Sequence, residues 1–184
     1  MSKTNGILAT LAEILLKAVG SGRASRTTDP RRPDARLRTP QETSAPAGTE
    51  TALIDPDRIR DLRVAYAPQR DGTPDAGEIV WTWVPYEEND GRGKDRPVLV
   101  IGRQSADRVY AVRMTSKPHD GERDYLSIGT GAWDSQGRES WVDIEQLYSV
   151  HERGLRREAA VLDRRRYDRV GTALTRRYGW SVAG

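Results

Sequence analysis

Apolar residues are unevenly spread along the 184-residue chain. From Ile7 to Val19 they recur every three or four positions, which predicts an amphipathic helix within residues 1–20 whose packing partner is unknown. Residues 21–50 contain a single large aliphatic side chain, Leu37, among Pro, Ser, Thr and Arg. Such a segment cannot repay the entropy of ordering, so we expect a disordered linker.

Residues 51–76 combine a few apolar side chains with helix-start and turn signals. Asp55-Pro56 is a plausible helix start, and several Pro and Gly follow it, so we expect a partly helical lead-in. The folded domain is then expected to span residues 77–184. On this interpretation residues 1 to about 70 are dispensable for folding.

From Gly77 onward the pattern changes to that of β-strands, with either alternating or continuously apolar runs. Asp163 is a plausible N-cap for a closing helix, whose apolar side chains recur at helical spacing up to Tyr178. The expected fold is mainly β with helices (α+β), a small curled antiparallel sheet or barrel with a C-terminal helix. The predicted strands are Glu78–Val84, Pro97–Ile101, Val109–Met114, Tyr125–Ile128 and Ser140–Ile144.

Composition excludes several classes of function. The chain has no Cys, which rules out disulfides and thiolate chemistry, and its two His leave little room for a metal cluster. No apolar run approaches the roughly 20 residues of a transmembrane helix. Lys and Arg number 30 against 27 Asp and Glu, so a nucleic-acid site must be local rather than spread over the surface.

Three ordered motifs are more specific. Gly77-Glu78-Ile79-Val80-Trp81 is followed by a Gly-containing loop that ends in Arg96-Pro97 and an apolar strand, and the next strand ends in Met114-Thr115-Ser116. Together with the later run from Ser140 to Leu147, they resemble the PemK/MazF family of toxin endoribonucleases of type II toxin-antitoxin systems. The resemblance covers about residues 77–178 and leaves an unrelated N-terminal extension.

This resemblance implies an SH3-like β-barrel of the MazF, Kid and CcdB type that forms a homodimer in the cytoplasm. It implies a sequence-selective mRNA interferase that cuts single-stranded RNA without a metal or other cofactor and leaves 2',3'-cyclic phosphate and 5'-hydroxyl ends. A cognate antitoxin would inhibit it. Two alternatives stay open: a catalytically inactive binding module of the same ancestry, and a toxin that acts on a protein target such as gyrase.

By position, Arg96 and Thr115 match the arginine and threonine that the family places at the scissile phosphate, and Glu145 matches a candidate general base. A planar guanidinium suits the charge that builds on a five-coordinate phosphorus. Asp143 stands where one branch of the family has an arginine, and a second carboxylate would repel phosphate unless it were protonated or paired. The expected substrate-binding residues are Ser116, Lys94, Arg92, Arg113, which shares a strand face with Thr115, and His119, whose imidazole can exchange a proton near neutral pH.

Trp81 and Trp83 occupy one face of the first predicted strand, together with Ile79. Their rings offer two uses, either core packing or a platform on which unpaired bases stack. The sequence favours packing, because Ile79 shares their face.

Overall fold

The computed structural model describes residues 48–69, 71–86 and 92–183. The predicted amphipathic helix and residues 21–47 of the predicted linker lie outside the described residues. The strands are β1 (Ala52–Ile54), β2 (Arg63–Val64), β3 (Glu78–Pro85), β4 (Gly93–Arg103), β5 (Arg108–Thr115), β6 (Tyr125–Gly129), β7 (Ser140–His151), β8 (Leu155–Val161) and β9 (Ser181–Val182), and the helix is α1 (Arg164–Tyr178).

The main sheet has the strand order β1-β7-β5-β4-β3-β8, and β6 pairs with β7 beside this path. Neighbouring strands in it run antiparallel, as the sequence predicted from several strands separated by polar loops. β2 and β9 form a separate parallel pair. β7 extends seven residues beyond the predicted end at Ile144, and β8 lies in a segment where the sequence indicated no strand.

Alternation divides the side chains of the sheet between two apolar clusters. One face, here called the helix face, carries Ile79, Leu99 and Val142, which are buried against α1 residues such as Leu174. The opposite face, the inner face, carries a smaller cluster that includes Val80, Val98, Val100, Ala111 and Tyr148. Both clusters are almost fully buried, so apolar contact stabilises both sides of the sheet.

The C-terminal helix begins and ends as the sequence predicted. The Asp163 side chain accepts a hydrogen bond from the amide of Arg166, and Gly179 closes the helix in the left-handed conformation at φ 72°. Tyr167, Val170 and Leu174 are buried against the helix face. No helix in the described ranges is long and apolar enough to cross a membrane.

The described residues before Gly77 belong to the same compact unit as those after it. β1 pairs with β7, Leu62 and Val64 are buried in the helix-face core, and the Trp180 indole donates to the Ile59 carbonyl at 2.7 Å. The helix start at Asp55-Pro56 gives only one 3-10 turn, Pro56–Arg58. The folded core therefore includes side chains that precede the expected domain start at residue 77. That residues up to about 70 are dispensable for folding stays a prediction.

The sheet curls so that its two edges approach each other. The hydroxyls of Thr51, just before β1, and Thr82, on β3, are hydrogen-bonded at 2.7 Å. Thr82 also donates a hydrogen bond to the Gly154 carbonyl. Within the described residues the ladder is not closed into a continuous barrel. The predicted class, a mainly antiparallel curled sheet with a C-terminal helix, is confirmed.

Candidate nucleic-acid interface

Sheet register brings Arg96 and Thr115 together. Arg96 pairs with Thr82 of β3, and Val98 pairs with Arg113 of β5. The β4–β5 ladder ends at the Val98–Arg113 pair, and continuing its register by two residues sets Arg96 opposite Thr115. By strand alternation both side chains lie on the inner face, and both line one cavity. We call this the Arg96 row.

The hydroxyl of Thr115 has a defined orientation. Its Oγ1 accepts a hydrogen bond from the backbone amide of Lys117 at 3.1 Å, in the turn that follows β5. An accepted bond at the oxygen leaves the hydroxyl proton available for donation to an anion. The turn also holds Ser116 beside Thr115 and makes Lys117 a neighbouring cation, which the sequence analysis did not select.

Arg96 is a partly exposed cation. Among the described residues no carboxylate lies within 4 Å of its guanidinium, whereas most arginines around it are paired. Lys94 lies two residues earlier on β4, on the same face, and is exposed. An anion that approached the Arg96 row would therefore meet cationic donors whose charge is not already neutralised in this part of the structure.

Arg113 occupies the next row along the same face, where the environment differs. Its Nη2 donates to Asp143 Oδ2 at 2.7 Å, and the two side chains are 14% and 3% exposed. Burial lowers the pKa of Arg113, but Tyr148 and Asp143 outweigh it and hold that pKa above its ordinary value. We call Arg113, Asp143 and Tyr125 the Arg113 row.

Asp143 is fully engaged. Its Oδ1 accepts the backbone amides of Glu145 and Gln146 at 3.0 and 3.3 Å, while Oδ2 receives Arg113. The sequence analysis expected this carboxylate to repel phosphate unless it was paired, and the structure shows it paired. The same ion pair engages Arg113 Nη2. The role of Arg113 as a substrate contact stays a prediction.

His119 lies near the Arg113 row. Its ring stacks on Tyr125 with centroids 3.6 Å apart and planes 7° apart, and its Nδ1 lies 3.0 Å from Glu122 Oε1. The Tyr125 hydroxyl in turn accepts a hydrogen bond from Arg113 Nη2 at 3.4 Å. The predicted substrate contact at His119 thus belongs to an aromatic and charged group around β6, one row from Arg96.

Two predicted site residues are placed elsewhere. Glu145 is exposed, and its Oε1 lies 3.7 Å from Arg177 Nη2 on α1. The guanidinium carbon of Arg92 lies 6.0 Å from the centre of the Tyr86 ring. Neither residue lines the cavity described next, so the geometry does not support Glu145 as a base beside Arg96.

A cavity of about 560 Å³ lies beside the first residues of β4 and the last residues of β5, and it is also lined by Trp81 of β3 and by the loop between β6 and β7. We call it the Trp pocket. It contains four of the eight predicted site residues and adds several that the sequence analysis missed. Trp133 could have been noticed as a lone aromatic in a Gly-rich polar stretch, but nothing local signalled the pairing of Asp134 with Arg138. The lining includes Lys94, Arg96, Thr115, Ser116, Lys117, Trp81, Pro97, Met114, Trp133, Asp134, Arg138 and Ser140.

The charges of the Trp pocket are arranged in pairs and single cations. Asp134 Oδ2 accepts from Arg138 Nε at 2.9 Å, and Asp95 lies 3.5 Å from Arg156. Hydrogen bonding from the Gln136 amide and from Arg138 lowers the pKa of Asp134. Within the described ranges no group of three or more His, Asp or Glu side chains is arranged to hold a metal ion.

Solved structures with a similar shape include MazF toxins, all with TM-scores below 0.5. An endoribonuclease in complex with its cognate antitoxin from a mycobacterial species is 16% identical, with 58% of this chain and 95% of that chain covered and a TM-score of 0.45. A MazE–MazF complex from Deinococcus radiodurans is 22% identical, with coverages of 58% and 96% and a TM-score of 0.46. The Mycobacterium tuberculosis toxin MazF-mt6 is 15% identical, with coverages of 56% and 98% and a TM-score of 0.41.

The family assignment rests on sequence rather than on these likenesses of shape. No curated protein sequence gives a significant match to the chain. The sequence profile for the PemK-like, MazF-like toxin of type II toxin-antitoxin systems matches residues 75–177, which is more than half of the chain. These residues run from just before β3 to the last turn of α1 and include the Arg96 row and the Trp pocket. The chain therefore belongs to the PemK/MazF family of type II toxin-antitoxin toxins.

Proposed function

We propose that this protein is a sequence-selective endoribonuclease that cleaves single-stranded RNA without a metal ion. The observation that carries the proposal is the Arg96 row, in which a cation without a described carboxylate partner stands beside an oriented hydroxyl on the neighbouring strand. Both line the Trp pocket, whose cations and aromatic side chains are the combination that single-stranded nucleic acids require. Family membership supports the same activity.

In the proposed reaction the ribose 2'-oxygen attacks the adjacent phosphorus in line. The bond from phosphorus to the 2'-oxygen forms as the bond to the 5'-oxygen breaks, which leaves a 2',3'-cyclic phosphate and a 5'-hydroxyl. The 2'-hydroxyl proton passes to a base and the departing 5'-oxygen takes up a proton. Negative charge builds on the equatorial oxygens, where Arg96 and the Thr115 hydroxyl would donate hydrogen bonds.

The proposal assigns the chemistry to transition-state stabilisation rather than to Glu145. That carboxylate lies beside Arg177 on α1, outside the Trp pocket. The carboxylates that do line the pocket, Asp95 and Asp134, each lie within 4 Å of an arginine. The pKa of Asp134 is lowered, which makes it a weak proton acceptor.

The partners and setting follow from the family. We propose a homodimer that acts on mRNA in the cytoplasm and is held inactive by a cognate antitoxin. The described surface has no large apolar patch, because Leu53 and Val182 are its only exposed large hydrophobic residues. Light scattering should give about twice the chain mass of 20.6 kDa at micromolar concentration, and a monomer at all concentrations would contradict this assembly.

The decisive experiment is incubation of the purified chain with a long RNA of defined sequence in excess EDTA. Mapping of the new ends should show 5'-hydroxyl and 2',3'-cyclic phosphate termini at a small set of related sequences. Cleavage that EDTA abolishes would contradict a metal-independent reaction. A folded protein that cuts no RNA would favour the binding module of the same ancestry.

A further inference from the structure

The Trp pocket contains a second set of residues beyond the Arg96 row, on the loop between β6 and β7. Trp133 is 6% exposed, and its indole N–H donates to Ser140 Oγ at 3.0 Å. Gly131 has no room for a side chain, because a Cβ there would overlap the Trp133 ring. These contacts fix the loop against β7, so the groups that follow Trp133 have defined positions.

Arg138 is held by this loop in a particular way. Asp134 Oδ1 accepts the Gln136 amide at 2.8 Å, and its Oδ2 accepts Arg138 Nε at 2.9 Å. The Asp134 side chain is 8% exposed, whereas that of Arg138 is 53% exposed. The terminal nitrogens of Arg138 make no hydrogen bond to another described residue. Because Asp134 holds the Nε atom, these nitrogens form a planar pair of donors, or fork, in a defined position.

The ion pair decides which ligand this fork suits. The Asp134 carboxylate, which accepts from Arg138 Nε at 2.9 Å, offsets the charge of Arg138. A phosphate gains less from such a neutralised fork than from Arg96 or Lys117, while an uncharged acceptor edge gains the hydrogen bonds at a lower desolvation cost. The planar donors of arginine match the O6 and N7 acceptors of guanine in a bidentate arrangement.

The Trp pocket also contains an aromatic side chain of the main sheet, Trp81. Trp81 is only partly buried, on β3, although Ile79 on the same strand face is fully buried. The sequence favoured core packing for this ring, but it lines the Trp pocket. Base stacking on such a ring strengthens the binding of any base, because every base has a flat π-face. A volume of about 560 Å³ lies within the range of small-molecule sites.

We propose that the Trp pocket binds a guanine base of single-stranded RNA, stacked on Trp81 and recognised by Arg138. The proposal rests on the proposed function in one respect, that the ligand is RNA. It goes beyond that function by naming the base and the residue that selects it. Because Arg96 and Thr115 line the same cavity, the guanine would lie close to the cleaved phosphate.

The test measures binding, so that it does not depend on cleavage. Fluorescent octamers of 2'-O-methyluridine, which have no 2'-hydroxyl to attack, carry one central guanine, one central adenine or neither, and anisotropy is recorded at fixed salt. We expect the full chain to bind the guanine octamer about 5- to 100-fold more tightly than the other two. Equal affinities, or no binding to any octamer, would overturn the proposal.

Variants assign the preference to Arg138. Arg138→Ala should bind all three octamers alike, and Arg138→Lys should lose most of the preference because an ammonium cannot form the planar fork. The matched control is Arg164→Ala, since Arg164 forms the same i,i+4 pair with Asp168 on α1, outside the Trp pocket. It should keep the preference of the parent. A preference that survives Arg138→Ala would assign recognition elsewhere and overturn the proposal.

Trp81 is tested by its effect on all bases. Trp81→Leu should weaken binding of every octamer about 5- to 100-fold, and Trp81→Tyr should recover much of the affinity because it keeps a flat ring. Thermal unfolding checks that each variant is folded. A folded Trp81→Leu protein that binds like the parent would overturn the stacking. Guanine-selective binding without cleavage of any RNA would contradict the proposed function and leave the base assignment standing.

Discussion

The inner face of the sheet carries two arginines in neighbouring rows, and the structure gives them opposite tasks. Arg113 is mostly buried and bonded to Asp143 at 2.7 Å, whereas Arg96 is more exposed and has no carboxylate nearby among the described residues. The difference comes from the residue across the sheet. The Arg113 row has Asp143 on β7, and the Arg96 row has Trp141 at the corresponding place.

This contrast shows how one face can be both stable and reactive. A buried charge must be paired, and the Arg113 row satisfies that need with an ion pair and two backbone amides. One row further along, the charge of Arg96 is left for a ligand. Substitutions in the Arg96 row should therefore change cleavage, and substitutions in the Arg113 row should change stability.

The largest expected effect is on catalysis by Arg96→Ala. Loss of a preorganised donor to the developing phosphorane charge should reduce cleavage about 100- to 1000-fold with little change in Tm. Arg96→Lys should recover only part of the rate, because it keeps charge but not the planar contact. Single-turnover rates on the RNA that the parent cuts provide the measurement. Full activity in a folded Arg96→Ala protein would remove the contrast between the rows.

Arg113→Ala should show the reverse pattern. It leaves Asp143 buried without its cation, which we expect to cost about 2–3 kcal/mol of unfolding free energy. The value is at the low end for a buried pair, because two backbone amides still hold Asp143 Oδ1. Urea unfolding measures the loss, and cleavage is compared at a temperature where the variant is folded. A stable Arg113→Ala protein with a 100-fold slower rate would place Arg113 in the reaction instead.

The sequence predicted the positions of the strands better than it predicted which side chains pair with each other in the Arg96 row and the Arg113 row. Alternating and continuously apolar runs located β3 to β7, and the Asp163 N-cap with the helical spacing up to Tyr178 located α1, because these signals are local. The partnership of Arg113 with Asp143 depends on a register shift between β5 and β7 after Val112, and sequence spacing does not reveal such a shift. Glu145, which directly follows the predicted strand end at Ile144, lies within β7 and beside Arg177 of α1.

The burial of side chains before residue 77 could not be predicted from the sequence for a related reason. Leu62 and Val64 stand in a short, Pro-flanked stretch without clear periodicity, yet they complete a core built by distant elements. Their burial is a tertiary property. Trp133 is comparable, since its place in the Trp pocket depends on a contact with Ser140 and on the space beside Gly131.

A smaller catalytic effect is expected for Thr115→Ala. A neutral hydroxyl contributes less than a guanidinium to a charged oxygen, so cleavage should fall about 10-fold. Thr115→Ser should keep most of the activity, because it preserves the oxygen that accepts the Lys117 amide. Rates of the two variants are compared with that of Arg96→Ala. Equal losses for Thr115→Ser and Thr115→Ala would show that the methyl group, rather than the hydroxyl, matters here.

The smallest effect is expected from Tyr125→Phe, and it concerns pH. Burial and the neighbouring Asp143 raise the pKa of Tyr125 above its ordinary value of 10, so the folded chain retains this proton when the unfolded chain loses it. Below about pH 10 both states are protonated and the group adds no pH dependence. Above it the unfolded state binds fewer protons, and the free energy of unfolding falls as pH rises.

Tyr125→Phe should flatten this decline in stability at alkaline pH, measured as Tm between about pH 9 and 11, while cleavage at neutral pH stays near that of the parent. An unchanged alkaline decline would show that Tyr125 ionises equally in both states, and a large loss of cleavage would join the Arg113 row to the reaction.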